Sequence, residues 1–168
     1  NTMLLSFSDT EITQFFYPYS FQIEIKVKLE LDAISFETLV MNCSKDDMPF
    51  SFGLHPYFNV TNITETKIIG LLPYCTNHLN MQEVKTSEQL KSLSDGIDFV
   101  CGPSESVSLV DLVTGMVLNL EQQAPMDLTV VWTDPPRNMV CLEPWTSPRG
   151  SLMSGERRLS LEPGATQN

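Results

Sequence analysis

Two positions carry side chains suited to moving protons, and both stand in the same local arrangement. Phe50, Phe52 and Leu54 alternate with Ser51 and Gly53, the pattern of a short strand with one buried face. His55 follows directly, then Pro56, which biases the histidine toward extended backbone and ends central ladder pairing at that point. Tyr57 and Phe58 come next. The arrangement recurs 88 residues later, where the apolar run Met139–Leu142 delivers Glu143, then Pro144, then Trp145.

A histidine as general acid and a carboxylate as general base form a competent pair near neutral pH. Tyr57 and Trp145 offer flat apolar surface of the kind that packs on the C–H face of a sugar ring. Read singly, each residue also has a plainer role. His55 is equally a half-buried histidine where a strand stops, Glu143 an exposed strand-end carboxylate, and Trp145 a core residue. Together they predict one cleft, with imidazole and carboxyl facing each other across a gap the width of a pyranose.

The elements that must position this pair are strands. Phe21, Ile23, Ile25, Val27, Leu29 and Leu31 alternate with polar residues, which predicts a long strand with one wet and one dry face. Asp32 and Ala33 make a turn into an antiparallel partner over 34–42. Further strands are expected over 3–7, 67–72, 106–112, 116–121, 128–133, 138–142 and 158–162. Val113-Thr114-Gly115 forms a hairpin turn, and Asp134-Pro135-Pro136-Arg137 a rigid one. Residues 9–14 are expected as a polar turn, 59–65 as polar loop, 73–80 as irregular and 83–93 as a surface turn or loop. Many strands, short connections and no convincing helix predict an all-β fold, an antiparallel β-sandwich in a single domain over 1–168.

Composition narrows the partners. The chain has 168 residues and a net charge of −11, which argues against nucleic acid and anionic lipid. Nowhere is there a run of about 18 apolar residues, so no membrane span is expected. All four arginines (Arg137, Arg149, Arg157, Arg158) fall in the last 32 residues, the simplest role of which is local charge balance. The cysteines at 43, 75, 101 and 141 lack metal-ligand spacing, and His55 and His78 stand too far apart for a local ligand pair. Reduced thiols in an intracellular compartment, cytoplasm or plastid stroma, are expected.

The segments Gly53-Leu54-His55-Pro56-Tyr57-Phe58 and Cys141-Leu142-Glu143-Pro144-Trp145-Thr146-Ser147-Pro148-Arg149 together resemble the aldose 1-epimerase (galactose mutarotase) family and its hexose-6-phosphate epimerase relatives. Tyr17-Pro18-Tyr19, Asn42, Met48-Pro49-Phe50, Ser154-Gly155-Glu156 and Pro163-Gly164 extend the likeness over nearly the whole chain. The resemblance implies a large antiparallel β-sandwich with the sugar on a concave face, and a chain corresponding to the last three-fifths of family members. It implies His55 as general acid and Glu143 as general base in ring opening and closure of a hexose or hexose phosphate, with no cofactor and no metal. Asp98, in the segment 95–100, is similar to a family aspartate that binds sugar hydroxyls. If Arg149 and its neighbours line the cleft, a hexose phosphate is expected to bind, with strong salt dependence. His78 stands in the wrong context to serve as the family's second histidine.

Strands absent from the N-terminal side would leave sheet edges that a protein partner could cover. The resemblance is therefore also compatible with a different class: a non-catalytic carbohydrate-binding or scaffold subunit of a larger assembly, of the kind found in chloroplasts.

Overall fold

The period-two run becomes the longest hairpin of the molecule. In the computed structural model, which describes residues 1–168, β1 (Thr2–Ser8), β2 (Phe21–Leu29) and β3 (Ile34–Asn42) form an antiparallel sheet. Phe21 opposes Asn42 and Leu29 opposes Ile34, and the turn closes with the Glu30 N–H donating to the Ala33 carbonyl at 2.9 Å. The expected polar turn over 9–14 is instead a short helix, α1 (Glu11–Phe16). Its cause is a reciprocal capping box between Thr10 and Thr13, which satisfies donors that a turn would leave to solvent. Strand β4 (Met48–Phe50) pairs with the C-terminal strand Leu159–Leu161, and Thr166–Gln167 pairs with β3. Phe21, Val40, Met48, Phe50 and Leu161 are the core of this compact unit, which comprises residues 1–50 and 159–168.

Residues 51–158 form a second compact unit. Its larger sheet is built from β5 (Tyr57–Asn59), β7 (Tyr74–Asn77), β8 (Gln82–Lys85), β9 (Asp98–Cys101), β12 (Leu128–Trp132) and β13 (Met139–Trp145), in the spatial order β5-β13-β12-β9-β7-β8, antiparallel throughout. A smaller sheet holds β6 (Thr66–Ile69), β10 (Ser106–Asp111) and β11 (Val117–Glu121). Side chains alternate across a strand. One face of the larger sheet, with Phe99, Val131, Val140 and Leu142, packs on Ile68, Val107 and Leu109 of the smaller. The other face carries Cys141, Glu143 and Trp145 of β13 beside Trp132, Val130 and Leu128 of β12, and Asp98 and Val100 of β9.

Several local expectations change here. Residues 51–54 are extended but belong to no named strand, and they touch the sheet through the isolated bridge Gly53↔Trp145. The ladder then resumes after Pro56, because β5 pairs with β13. Pro144 does not stop β13 either. Its carbonyl accepts from the Leu54 N–H at 3.1 Å, so its main-chain polar edge faces residues 53–54 rather than β12, and the β12 ladder loses no donor. The expected irregular stretch contains β7. The 83–93 stretch resolves into the end of β8, then α2 (Thr86–Gln89) running into a 3-10 turn at Leu90–Ser92. No helix is long and apolar enough to cross a membrane.

Candidate active site

Every residue singled out for chemistry falls in the second unit. The β13–β12 register puts Glu143 in the middle of the larger sheet, where its side chain is 2% exposed. His55 is delivered by the extended 51–54 segment, with Pro56 restricting its backbone, and its ring is half-exposed. Its Nδ1 stands 3.2 Å from Glu143 Oε1, at ion-pair distance. The pair therefore meets, but the expected pyranose-wide gap between them does not exist.

Two aromatic residues hold the histidine. Tyr57 stacks on its ring at 4.8 Å with planes 7° apart, and Trp132 meets it edge-on at 5.7 Å. Tyr57 thus lies against His55. It lines a second concavity beside Asn59 and Arg137, and not the cavity that contains Glu143. Trp145 Nε1–H donates to Glu143 Oε2 at 3.0 Å, so both carboxyl oxygens are occupied. Burial pushes the Glu143 carboxyl above its ordinary range. Its proximity to His55 and the Trp145 hydrogen bond act in the opposite direction. A base so adjusted holds its proton closer to neutrality than a surface glutamate does. Burial, with the Glu143 carboxylate adding to it, likewise pushes the nearby Cys141 thiol up to about 12.

Sequence context argues against His78 as the family's second histidine, and the fold nevertheless brings it against Trp145. His78, at the end of β7, stacks on Trp145 at 5.9 Å, and its Nδ1 stands 2.6 Å from Asp98 Oδ1. A carboxylate only accepts, so Nδ1 carries the proton. The other Asp98 oxygen accepts from Arg149 at 2.9 Å. The His78 side chain is 1% exposed, and Nε2 is buried without a partner. Desolvation depresses its pKa, against the raising effect of Asp98, which keeps the imidazole neutral. Two chains of contact thus converge on the site: His78–Asp98–Arg149, and His78–Trp145–Glu143–His55. Strand pairing brings His78 to Asp98, with the His78 N–H donating to the Asp98 carbonyl at 2.8 Å. No local pattern in the sequence could have signalled it. Trp132 did have a signal, since it is one of only two tryptophans and ends an apolar strand.

A cavity of about 390 Å³ opens over this face, within the size range of small-ligand sites. Gly53, His55, Glu143, Trp145 and Arg149 line it, together with Ser151 at the start of α3 (Ser151–Ser154). Asp98 is not among the lining residues and acts on the cavity through Arg149.

The aldose 1-epimerase family model matches residues 1–166. The chain belongs to the aldose 1-epimerase family. Solved structures of the same fold include the Slr1438 protein of Synechocystis sp. PCC 6803. It superposes with a TM-score of 0.93 at 23% identity, over 99% of this chain and 58% of that one. A galactose mutarotase-like protein of Clostridium acetobutylicum gives a TM-score of 0.81 at 17% identity, over 99% and 60%. A galactose mutarotase related enzyme of Lactobacillus acidophilus gives 0.76 at 18%, over 99% and 65%. The present epimerase-family chain thus spans about three-fifths of the length of these structures. No curated protein sequence matches it significantly.

Proposed function

We propose that this chain carries the proton-transfer centre of an aldose 1-epimerase acting on a free aldohexose. The observation that carries the reading is the contact of His55 with a buried, hydrogen-bonded Glu143 at the edge of a cavity that also exposes Trp145. Glu143 takes the proton of the anomeric hydroxyl while a ring nitrogen of His55 gives one to the ring oxygen. The C1–O5 bond breaks and the aldehyde forms. Rotation about C1–C2 and closure with the roles reversed deliver the other anomer and return both protons. Trp145 packs on the sugar's C–H face. Arg149 donates to hydroxyls with the N–H groups that Asp98 leaves free.

A neutral sugar is favoured over a sugar phosphate. Arg149 is the only Lys or Arg lining the cavity, and its charge is already matched by Asp98. A phosphate there would face Glu143 with no surplus cation.

The test is polarimetry on freshly dissolved α-D-glucose and α-D-galactose. The wild-type chain is expected to speed the approach to anomeric equilibrium, and His55→Asn and Glu143→Gln to remove a factor of about 10²–10⁴. A wild-type rate equal to buffer would overturn the proposal. One observation favours a second reading, a mutarotase-fold subunit that docks into a larger assembly. Met3, Leu5, Phe7 and Phe36 share a face of the β1–β2–β3 sheet, and each is about half exposed (54%, 47%, 51% and 46%). That reading predicts sugar binding without rate acceleration.

A further inference from the structure

Cys141 has no part in the proton transfer, yet its position is specific. It lies on the same face of β13 as Glu143, opposite Tyr57 on one side and Trp132 on the other. The thiol is fully buried. One ligand atom each from His55, Cys141 and Glu143 falls within 4.8 Å of the others. An imidazole nitrogen, a sulfur and a carboxylate oxygen converging at this spacing is the donor chemistry of zinc sites.

We propose that His55, Cys141 and Glu143 form a three-ligand site for a divalent transition ion of the zinc class, whose binding silences the acid–base pair. Bond lengths of about 2.0–2.3 Å to a tetrahedral ion place donor atoms about 3.3–3.8 Å apart. One pair, His55 Nδ1 and Glu143 Oε1, is already at 3.2 Å. The third donor, the Cys141 sulfur, lies within 4.8 Å of both and has to close the remaining distance on binding. The ligands are also oriented from behind, as zinc ligands are. Trp145 Nε1–H holds the far carboxyl oxygen, and Tyr57 stacks on the imidazole. The fourth position faces the cavity that His55 and Glu143 line, open to water or to a sugar hydroxyl. On binding, the Cys141 S–H bond gives way to S–metal and its proton goes to solvent. Glu143 and His55 then spend on the metal the lone pairs that proton exchange requires. The inhibitory consequence rests on the proposed function; the binding does not.

Cobalt(II) titrated into the metal-free full chain reports the site directly, since thiolate ligation gives a near-ultraviolet charge-transfer band and tetrahedral geometry intense visible bands. One equivalent is expected to produce both, and zinc to bleach them by displacement. Cys141→Ser and Cys141→Ala, each checked for native circular dichroism, are expected to lose the charge-transfer band. They are also expected to weaken zinc binding by more than the roughly 10–100-fold that loss of an orienting partner costs. Cys43→Ser, at the exposed cysteine, should leave the band intact. Absence of the band in wild type, or its persistence in both Cys141 variants, overturns the site. Mutarotation is read for each protein as its rate with zinc over its own rate in chelator. A ratio near one for wild type at saturating zinc overturns the inhibitory role. A Cys141-dependent band in a chain that never speeds mutarotation overturns the proposed function and leaves the site standing.

Discussion

Gly53→Ala is the smallest change that should disable this centre. A Cβ at Gly53 would stand 2.6 Å from Trp145 Cδ1 and 3.0 Å from both Cγ and Nε1. Ordinary carbon–carbon contact begins at about 3.5 Å, so the indole must retreat by about 1 Å. It is no flexible chain end. Its Nε1–H is bonded to Glu143, one face meets His78, and its backbone bridges to Gly53 itself. The Glu143 bond, now at 3.0 Å, therefore stretches out of range, and the carboxyl loses the donor that fixes its angle to His55. Overpacking of this kind costs about 1–3 kcal/mol. A misplacement of about 1 Å in a reacting group costs up to about 100-fold in rate. Polarimetry should show that loss in kcat, together with a rise in KM because the same indole packs on the sugar. Thermal unfolding should fall by about 4–8 °C per kcal/mol if the second unit melts as a domain of its own size. A Gly53→Ala protein with wild-type rate and wild-type Trp145 fluorescence would refute the claim that this indole aims the base.

Glu143→Gln should separate catalysis from stability. The amide still accepts from Trp145 but cannot take a proton, so the rate falls by about 10²–10⁴. Burial raises the wild-type carboxyl's pKa, so wild-type stability declines as pH rises from the unfolded value of about 4.3 through the folded one. The Gln variant should lack that decline and be the more stable protein at neutral pH in urea melts. His78→Phe keeps a ring against Trp145 but strips Asp98 of a 2.6 Å partner, and should cost about 1–3 kcal/mol. The depressed His78 pKa means that its stabilisation is full above about 6.5 and is lost as pH falls below that value. Urea midpoints on either side of that value should therefore differ less in the variant than in wild type. The Thr61 side chain first, and then the backbone N–H groups of Thr61, Thr114 and Val113 that Asp111 accepts from, hold its carboxyl down at about 2. Asp111→Ala should destabilise the 113–115 hairpin turn, and the deficit relative to wild type should shrink from about pH 4, where the unfolded chain's carboxyl takes up its proton, down to about 2, where the folded one does.

Local pattern in the chain was enough for the β2–β3 hairpin, the turn at 113–115 and the strands ending at Trp132 and Leu161. A period of two and a turn residue are properties of neighbours along the backbone. The two motifs around His55 and Glu143 were also legible, because each places its ionisable group, proline and aromatic side chain within a few positions. Proline was the misleading signal. Its effect depends on which side of the strand the missing N–H would have faced, and for Pro144 that side carries only a bridge to residues 53–54. Pairings across long separations were decided by the tertiary fold alone. The β7–β9 ladder sets His78 against Asp98, and Arg149 reaches that carboxylate from 51 residues away. The β12–β13 ladder buries Glu143 and turns Cys141 onto the same face. The chain order records which groups exist. Whether an imidazole touches a carboxyl, and how dry that contact is, depends on register between strands that the sequence keeps dozens of residues apart.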